Sequence, residues 1–101
     1  MTLEWSPLAM ERAREIVEHI ASDKPSAAES WLDGLMGVVG RLPDHPLSGR
    51  RVPELGVDRI REVMHGAYRV VYSVDERGGR ITVLTVRRGS ELLKRQDLLS
   101  G

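Results

Sequence analysis

Two arginines, Arg61 and Arg69, are the residues of this chain best suited to chemistry. They fall on segments that read as adjacent antiparallel strands, joined by a short turn at His65-Gly66. Residues on adjacent strands can be near neighbours, and two guanidinium groups on one face can hold a phosphate bidentately. Such a pair would also stabilise the charge that develops on a scissile phosphate. The competing reading is that each arginine pairs with a carboxylate such as Glu54 or Glu62 and fixes the sheet. Arg50, Arg51, Arg59, Arg87 and Arg88 complete the cluster. Of these, Arg50, Arg87 and Arg88 are the surface groups available to acidic groups of a target or partner.

Other chemistries lack their residues. The chain has no cysteine, which excludes disulfides and thiolate nucleophiles. His19, His45 and His65 have no paired-ligand spacing on one helix, so they read as surface or loop residues and no metal or cofactor is expected. Gly78-Gly79 lies in a hairpin turn rather than ahead of a helix, so it is no phosphate loop. No serine sits in a nucleophile elbow. Tyr68, Val70, Tyr72 and Val74 alternate on one strand face and read as core rather than as a base-stacking platform.

The elements that must position these side chains belong to one small domain of 101 residues. A hydrophobic fraction of 41% suits a globular fold and exceeds that of a disordered chain. Phenylalanine is absent and there are only two Trp and two Tyr, so the core must be aliphatic. No apolar run approaches the ~20 residues that span a bilayer, and the N-terminus carries no secretory pattern. A soluble, cytoplasmic protein without membrane partners is expected. Net charge is zero, but residues 1–48 hold four basic and eight acidic side chains, and residues 49–101 hold eleven and seven. That polarity favours an anionic partner for the second half, yet it is too weak for a dedicated nucleic-acid binder. Direct nucleic-acid binding is therefore expected to be weak or absent.

Residues 2–5 alternate as a short strand. Ser6-Pro7 supplies an N-cap and a first-turn proline for a helix whose apolar positions are Ala9, Ala13, Ile16, Val17 and Ile20. Residues 22–25 break it. A second helix is expected from Ser26, with Ser26 and Glu29 at capping-box spacing and a stripe of Ala28, Trp31, Leu32, Leu35, Val38, Val39 and Leu42. Gly34, Gly37 and Gly40 lie within it and form either a close-approach track for a partner helix or an internal packing surface. Residues 43–58 read as loop. Strands follow at about 59–65, 67–75 and 80–88, the last two joined by Glu76-Arg77-Gly78-Gly79, and residues 89–101 form an amphipathic tail with Leu92, Leu93, Leu98 and Leu99. The fold class is α+β: an N-terminal strand and an antiparallel two-helix hairpin packed on a small antiparallel sheet, in the order β-α-α-β-β-β with a short C-terminal tail.

An ordered set of short motifs resembles the ParE/RelE toxin superfamily of bacterial toxin–antitoxin pairs, and its ParE branch most. The set runs through Trp5-Ser6-Pro7, Pro25…Ala28…Trp31, His45-Pro46-Leu47-Ser48-Gly49-Arg50, Val52-Pro53-Glu54-Leu55, Ile60-Arg61-Glu62, Tyr68-Arg69-Val70-Val71-Tyr72 and Val83-Leu84-Thr85-Val86-Arg87-Arg88-Gly89. RelE-type toxins cut mRNA on the ribosome with basic and aromatic side chains. Here only Arg69 and, loosely, Arg61 match those places, the second catalytic arginine falls near Gly89, and no Tyr or His follows Tyr72 to serve as the C-terminal acid. Without a positioned proton donor such catalysis loses orders of magnitude. The resemblance to ParE implies a toxin without enzymatic activity that inhibits DNA gyrase and traps cleaved DNA. Many relatives carry His where this chain has Arg87-Arg88-Gly89. The implied partner is a ParD-like antitoxin whose C-terminal segment wraps the hairpin and sheet, with Gly34, Gly37, Leu92 and Leu93 as the expected contact surface. Arg50, Arg61, Arg69, Arg87 and Arg88 complete the expected target or antitoxin set. The alternatives are a divergent mRNA interferase using Arg61 and Arg69, and a degenerate non-toxic member.

Overall fold

The computed structural model describes residues 1–93 and residue 98. Its elements are β1 (Thr2–Trp5), α1 (Pro7–Asp23), α2 (Pro25–Gly40), β2 (Arg50–Arg51), β3 (Ile60–His65), β4 (Tyr68–Asp75) and β5 (Arg80–Arg88). The fold is α+β, and the expected order is present. The sheet order is β1-β5-β4-β3-β2. The sheet is mixed rather than wholly antiparallel, because β1 runs parallel to β5 with Leu3 opposite Ile81 and Trp5 opposite Val83. The segment read as a loop contributes β2, two residues that pair with Glu62 and Arg61 of β3.

Ser6 caps α1 as its sequence implies. Its hydroxyl accepts from the Ala9 N–H (3.0 Å) and donates to the Leu84 carbonyl (2.9 Å), so the cap also fastens the helix to β5. The start of α2 differs from expectation. Pro25 occupies the first turn and the N-cap is Lys24, with extended backbone and no side-chain cap bond. The proline's fixed φ starts the helix one residue before Ser26, which leaves Ser26 inside the first turn rather than capping it. A single residue therefore separates the two helices.

The core has two parts, one on each face of the sheet. The helix-side cluster joins Ala9, Ala13, Leu35, Val39 and Leu42 to Val70, Tyr72, Val74, Ile81, Val83 and Val86. The second cluster joins Val52, Ile60, Val71, Leu84 and Leu93, with Leu55 and Leu98 against it. A β-bulge allots residues of β5 between them. Val71 pairs with Thr85 but Tyr72 pairs with Val83, so Leu84 is the extra residue. Simple alternation would put Leu84 and Val86 on one face. The bulge instead returns Val86 to the helix side and leaves Leu84 on the other.

Candidate functional site

The centre of the candidate site is Arg69. Alternation along β4 sends Tyr72 and Val70 toward the helices, so Arg69 and Val71 face the other way. Glu62 of β3 stands opposite Val71 and shares that face. The Arg69 side chain is 5% exposed and that of Glu62 is 0% exposed. Burying a charge is costly unless it is paired and hydrogen-bonded, and here the pairing is complete. Arg69 Nε donates to Glu62 Oε1 (3.0 Å). Nη1 donates to Glu54 Oε2 (2.7 Å) and to the Glu91 carbonyl (3.0 Å). Nη2 donates to Glu54 Oε1 (2.9 Å) and to Glu62 Oε1 (2.5 Å). A guanidinium has five N–H donors, and all five are in use.

The network extends outward on both sides. Glu62 Oε2 accepts from Arg50 Nε (2.9 Å), which ties β2 to β3. Glu54 Oε2 accepts from the Leu93 N–H (3.2 Å), and Arg87 pairs with Glu91 (2.8 Å), which tie the segment after β5 to the same face. The Arg69 hydrogen bonds hold the Glu54 carboxyl down to about 2 against the opposing effect of burial, and the Leu93 N–H adds to the lowering. Donating to Glu54 in turn raises Arg69 above the usual guanidinium value.

Arg61 does not join Arg69. The β3–β4 register sets Arg61 against Tyr72 and Met64 against Arg69. Tyr72 and Arg69 lie three positions apart on β4, so the two arginines project from opposite faces and form no paired phosphate clamp. Arg61 instead donates to the carbonyls of Asp58 (3.0 Å) and Gly49 (2.9 Å). The Tyr72 hydroxyl accepts from the Gly49 N–H (3.0 Å) and donates to the Pro46 carbonyl (2.9 Å). A Cβ on Gly49 would lie 2.6 Å from both the Glu62 carbonyl and the Tyr72 hydroxyl, so only glycine fits. Arg61 and Tyr72 thus pin the loop that delivers Arg50 to Glu62.

At the other end of β3–β4 the helix-side face carries a row of rings. The edge of Trp31 meets Tyr68 (centroids 5.3 Å apart), and Trp31 also lies 5.6 Å from His65. His65 Nε2 donates to the Trp31 carbonyl (2.9 Å). His65 is therefore a packed residue rather than a surface one. Its ring fills the space over Gly34, where a Cβ would come within 2.5 Å of it, whereas Gly37 faces open space. The expected Gly34/Gly37 contact track is broken, because Gly34 serves internal packing. Leu92 and Leu93 also separate: Leu92 is 72% exposed, while Leu93 is buried in the second cluster. Arg88 stands opposite Tyr68, with its guanidinium 5.9 Å from that ring.

An apolar groove lies between the two helices beside β1, lined by Trp5, Met10, Ala13, Arg14, Val17, Leu32 and Met36. Met10 is 61% exposed and Met36 49%. Ala13, Val17 and Leu32 already belong to the apolar stripes read from the sequence, whereas Met10 and Met36 lie outside them and are the residues that the sequence reasoning missed. Among the described residues no cluster of His, Asp and Glu could hold a metal, and no helix is long and apolar enough to cross a membrane.

Comparison with known proteins places this architecture. No curated protein matches the chain in sequence. Among the solved structures that share its fold are two from toxin–antitoxin systems. One is from the chromosomal ParDE toxin–antitoxin system of P. aeruginosa, with a TM-score of 0.72, 21% identity, and coverage of 87% of this chain and 95% of that one. The other is from the toxin–antitoxin complex RelBE2 of Mycobacterium tuberculosis, with a TM-score of 0.60, 16% identity, and coverage of 89% and 92%. The family model for the ParE toxin of the type II toxin–antitoxin system parDE matches residues 3–93. The chain belongs to this ParE toxin family of type II toxin–antitoxin systems.

Proposed function

We propose that this toxin acts by binding rather than by cutting RNA, that DNA gyrase is its target, and that an antitoxin segment neutralises it. The observation that carries the reading is the complete use of Arg69. This is the arginine at the place where a RelE-like ribonuclease would hold the scissile phosphate, and its five donors go to Glu54, Glu62 and the Glu91 carbonyl. To contact a phosphate it would have to abandon a buried carboxylate, which costs several kcal/mol. Arg61, the other candidate, projects from the opposite face. Neither arginine is disposed to stabilise a developing oxyanion.

The antitoxin reading is supported by the groove and by the two solved structures of like fold, one from a toxin–antitoxin system and the other from a toxin–antitoxin complex. A groove lined by Met and aliphatic side chains between two helices suits an amphipathic helix. The occupant is the C-terminal helix of the cognate antitoxin. The test of the binding reading is ribosome-programmed mRNA incubated with the antitoxin-free protein and analysed by primer extension. Uncleaved message at toxin concentrations that arrest growth is expected. Codon-phased cleavage that disappears in a folded Arg69 variant would establish the interferase instead.

A further inference from the structure

A polar cleft of about 440 Å³ opens between α1 and the end of β5; it is separate from the apolar groove and borders the Arg69 network at Arg87 and Glu91. One wall is a single face of α1, with Arg12, Glu15, Ile16 and His19 at positions i, i+3, i+4 and i+7. The other wall is Val86, Arg87 and Arg88 of β5 with Tyr68 of β4 and Glu91 beyond. We propose that this cleft binds a phosphodiester group of a DNA backbone.

Three features carry the proposal. First, among the described residues the cations outnumber the acids, with Arg12, Arg87 and Arg88 against Glu15 and Glu91, in a molecule whose net charge is zero. Arg12 is bound to Glu15 (3.1 Å) in an exposed pair of the kind that yields readily to a stronger anion, whereas Arg87, largely buried and bound to Glu91 (2.8 Å), adds positive potential to the wall rather than a free donor. Arg88 makes no ion pair among the described residues and is held by the Tyr68 ring, which restricts it without neutralising it. Second, donors come from two facing walls. A tetrahedral phosphoryl group accepts from several directions, whereas the acceptor sites of a carboxylate lie in one plane and suit a single fork. Third, the volume falls in the range of small-ligand sites and far exceeds the need of one acidic side chain, while Ile16 gives apolar contact beside the charges. Tyr68 itself is not a base platform, since Trp31 and Arg88 occupy its surroundings.

The inference rests on the proposed gyrase target, an enzyme whose substrate is DNA, but it is tested without gyrase and so can fail separately from that reading. The probe is a fluorescein-labelled 12-base-pair duplex, titrated with antitoxin-free protein by anisotropy between 20 and 200 mM salt. Each phosphate contact contributes a slope of about −0.9 to log K against log salt. Arg88→Gln and Arg12→Gln are each expected to weaken binding several-fold at low salt and to reduce the slope by about 1, with melting temperature unchanged. Arg77→Gln, in the turn at the far end of the sheet, is expected to leave both unchanged. The proposal is overturned if the wild type does not bind the duplex at 20 mM salt, or if the Arg88 and Arg12 variants keep the wild-type slope. It is also overturned if a labelled poly-glutamate peptide binds through the same two arginines and duplex DNA fails to displace it, which would make the cleft a site for an acidic protein.

Discussion

Replacing Arg69 by methionine keeps most of the side chain's reach and removes every one of its donors. Glu62, with no exposure, would retain only Arg50, whose own side chain is largely in solvent. Glu54, partly exposed, could turn to water but would release the Leu93 N–H and the segment it holds. Breaking a buried ion pair by removing one partner costs about 3–5 kcal/mol, and the surviving Arg50 contact places this case near about 3 kcal/mol. That is a large fraction of the roughly 5–15 kcal/mol that holds a domain of this size together. The corresponding fall in melting temperature is of the order of 15–20 °C. Urea unfolding followed by circular dichroism would measure it, with the midpoint moving and the slope unchanged. The triple variant Arg69→Met, Glu54→Gln, Glu62→Leu removes the stranded charges as well, so it should recover most of the loss. A single variant that loses less than about 1 kcal/mol while target inhibition disappears would refute the structural role and return Arg69 to chemistry.

Further outcomes follow from other contacts. The Glu54 carboxyl, held at about 2 against an ordinary value near 4.5, contributes stability that is present above pH 4.5 and is lost as pH falls toward 2. The stability difference between wild type and Glu54→Gln should therefore shrink across that window in acid-titrated urea melts, and a difference that stays constant would count against the pairing. Gly49→Ala meets backbone and a tyrosine hydroxyl at 2.6 Å and should cost about 1–3 kcal/mol, whereas Gly37→Ala, in open space on a helix, should stabilise by up to about 1 kcal/mol. Thermal melts of the two would separate them, and similar shifts would contradict the assigned environments. Tyr72→Phe leaves the Gly49 N–H and Pro46 carbonyl without their partner and should cost about 1–3 kcal/mol by the same measurement. Met36→Glu puts a charge in the hairpin groove and should weaken antitoxin binding at least tenfold in calorimetry without lowering the melting temperature. Unchanged affinity would place the antitoxin elsewhere.

Much of this architecture is written in the sequence where periodicity is long or a cap is explicit. The apolar stripes of α1 and α2, the Ser6-Pro7 start and the Gly78-Gly79 turn all locate their elements. The pairing of Arg69 with Glu54 and Glu62 was open as one of two readings, since a strand arginine beside two glutamates can be a pair or a site. Features that depend on one residue of register are the ones that escape. Gly66, with positive φ, and Ala67 make a two-residue turn that closes His65 against Tyr68. That turn fixes Arg61 opposite Tyr72 and hence on the face away from Arg69. The bulge at Leu84 reverses the expected faces of β5 with no glycine or proline to mark it. β2 is too short to show any alternation. The burial of Gly34 under His65 depends on how α2 crosses the sheet, which helical spacing alone does not determine.

The effect of the antitoxin-free protein on DNA gyrase is the most direct test of its proposed target. The measurement is supercoiling of relaxed plasmid by purified gyrase across a titration of the toxin, with linear and nicked products scored after denaturation. Loss of supercoiling with accumulation of cleaved DNA, reversed by the cognate antitoxin, is the predicted result. Supercoiling unchanged at a toxin concentration where the same folded sample cleaves ribosome-bound mRNA would contradict it.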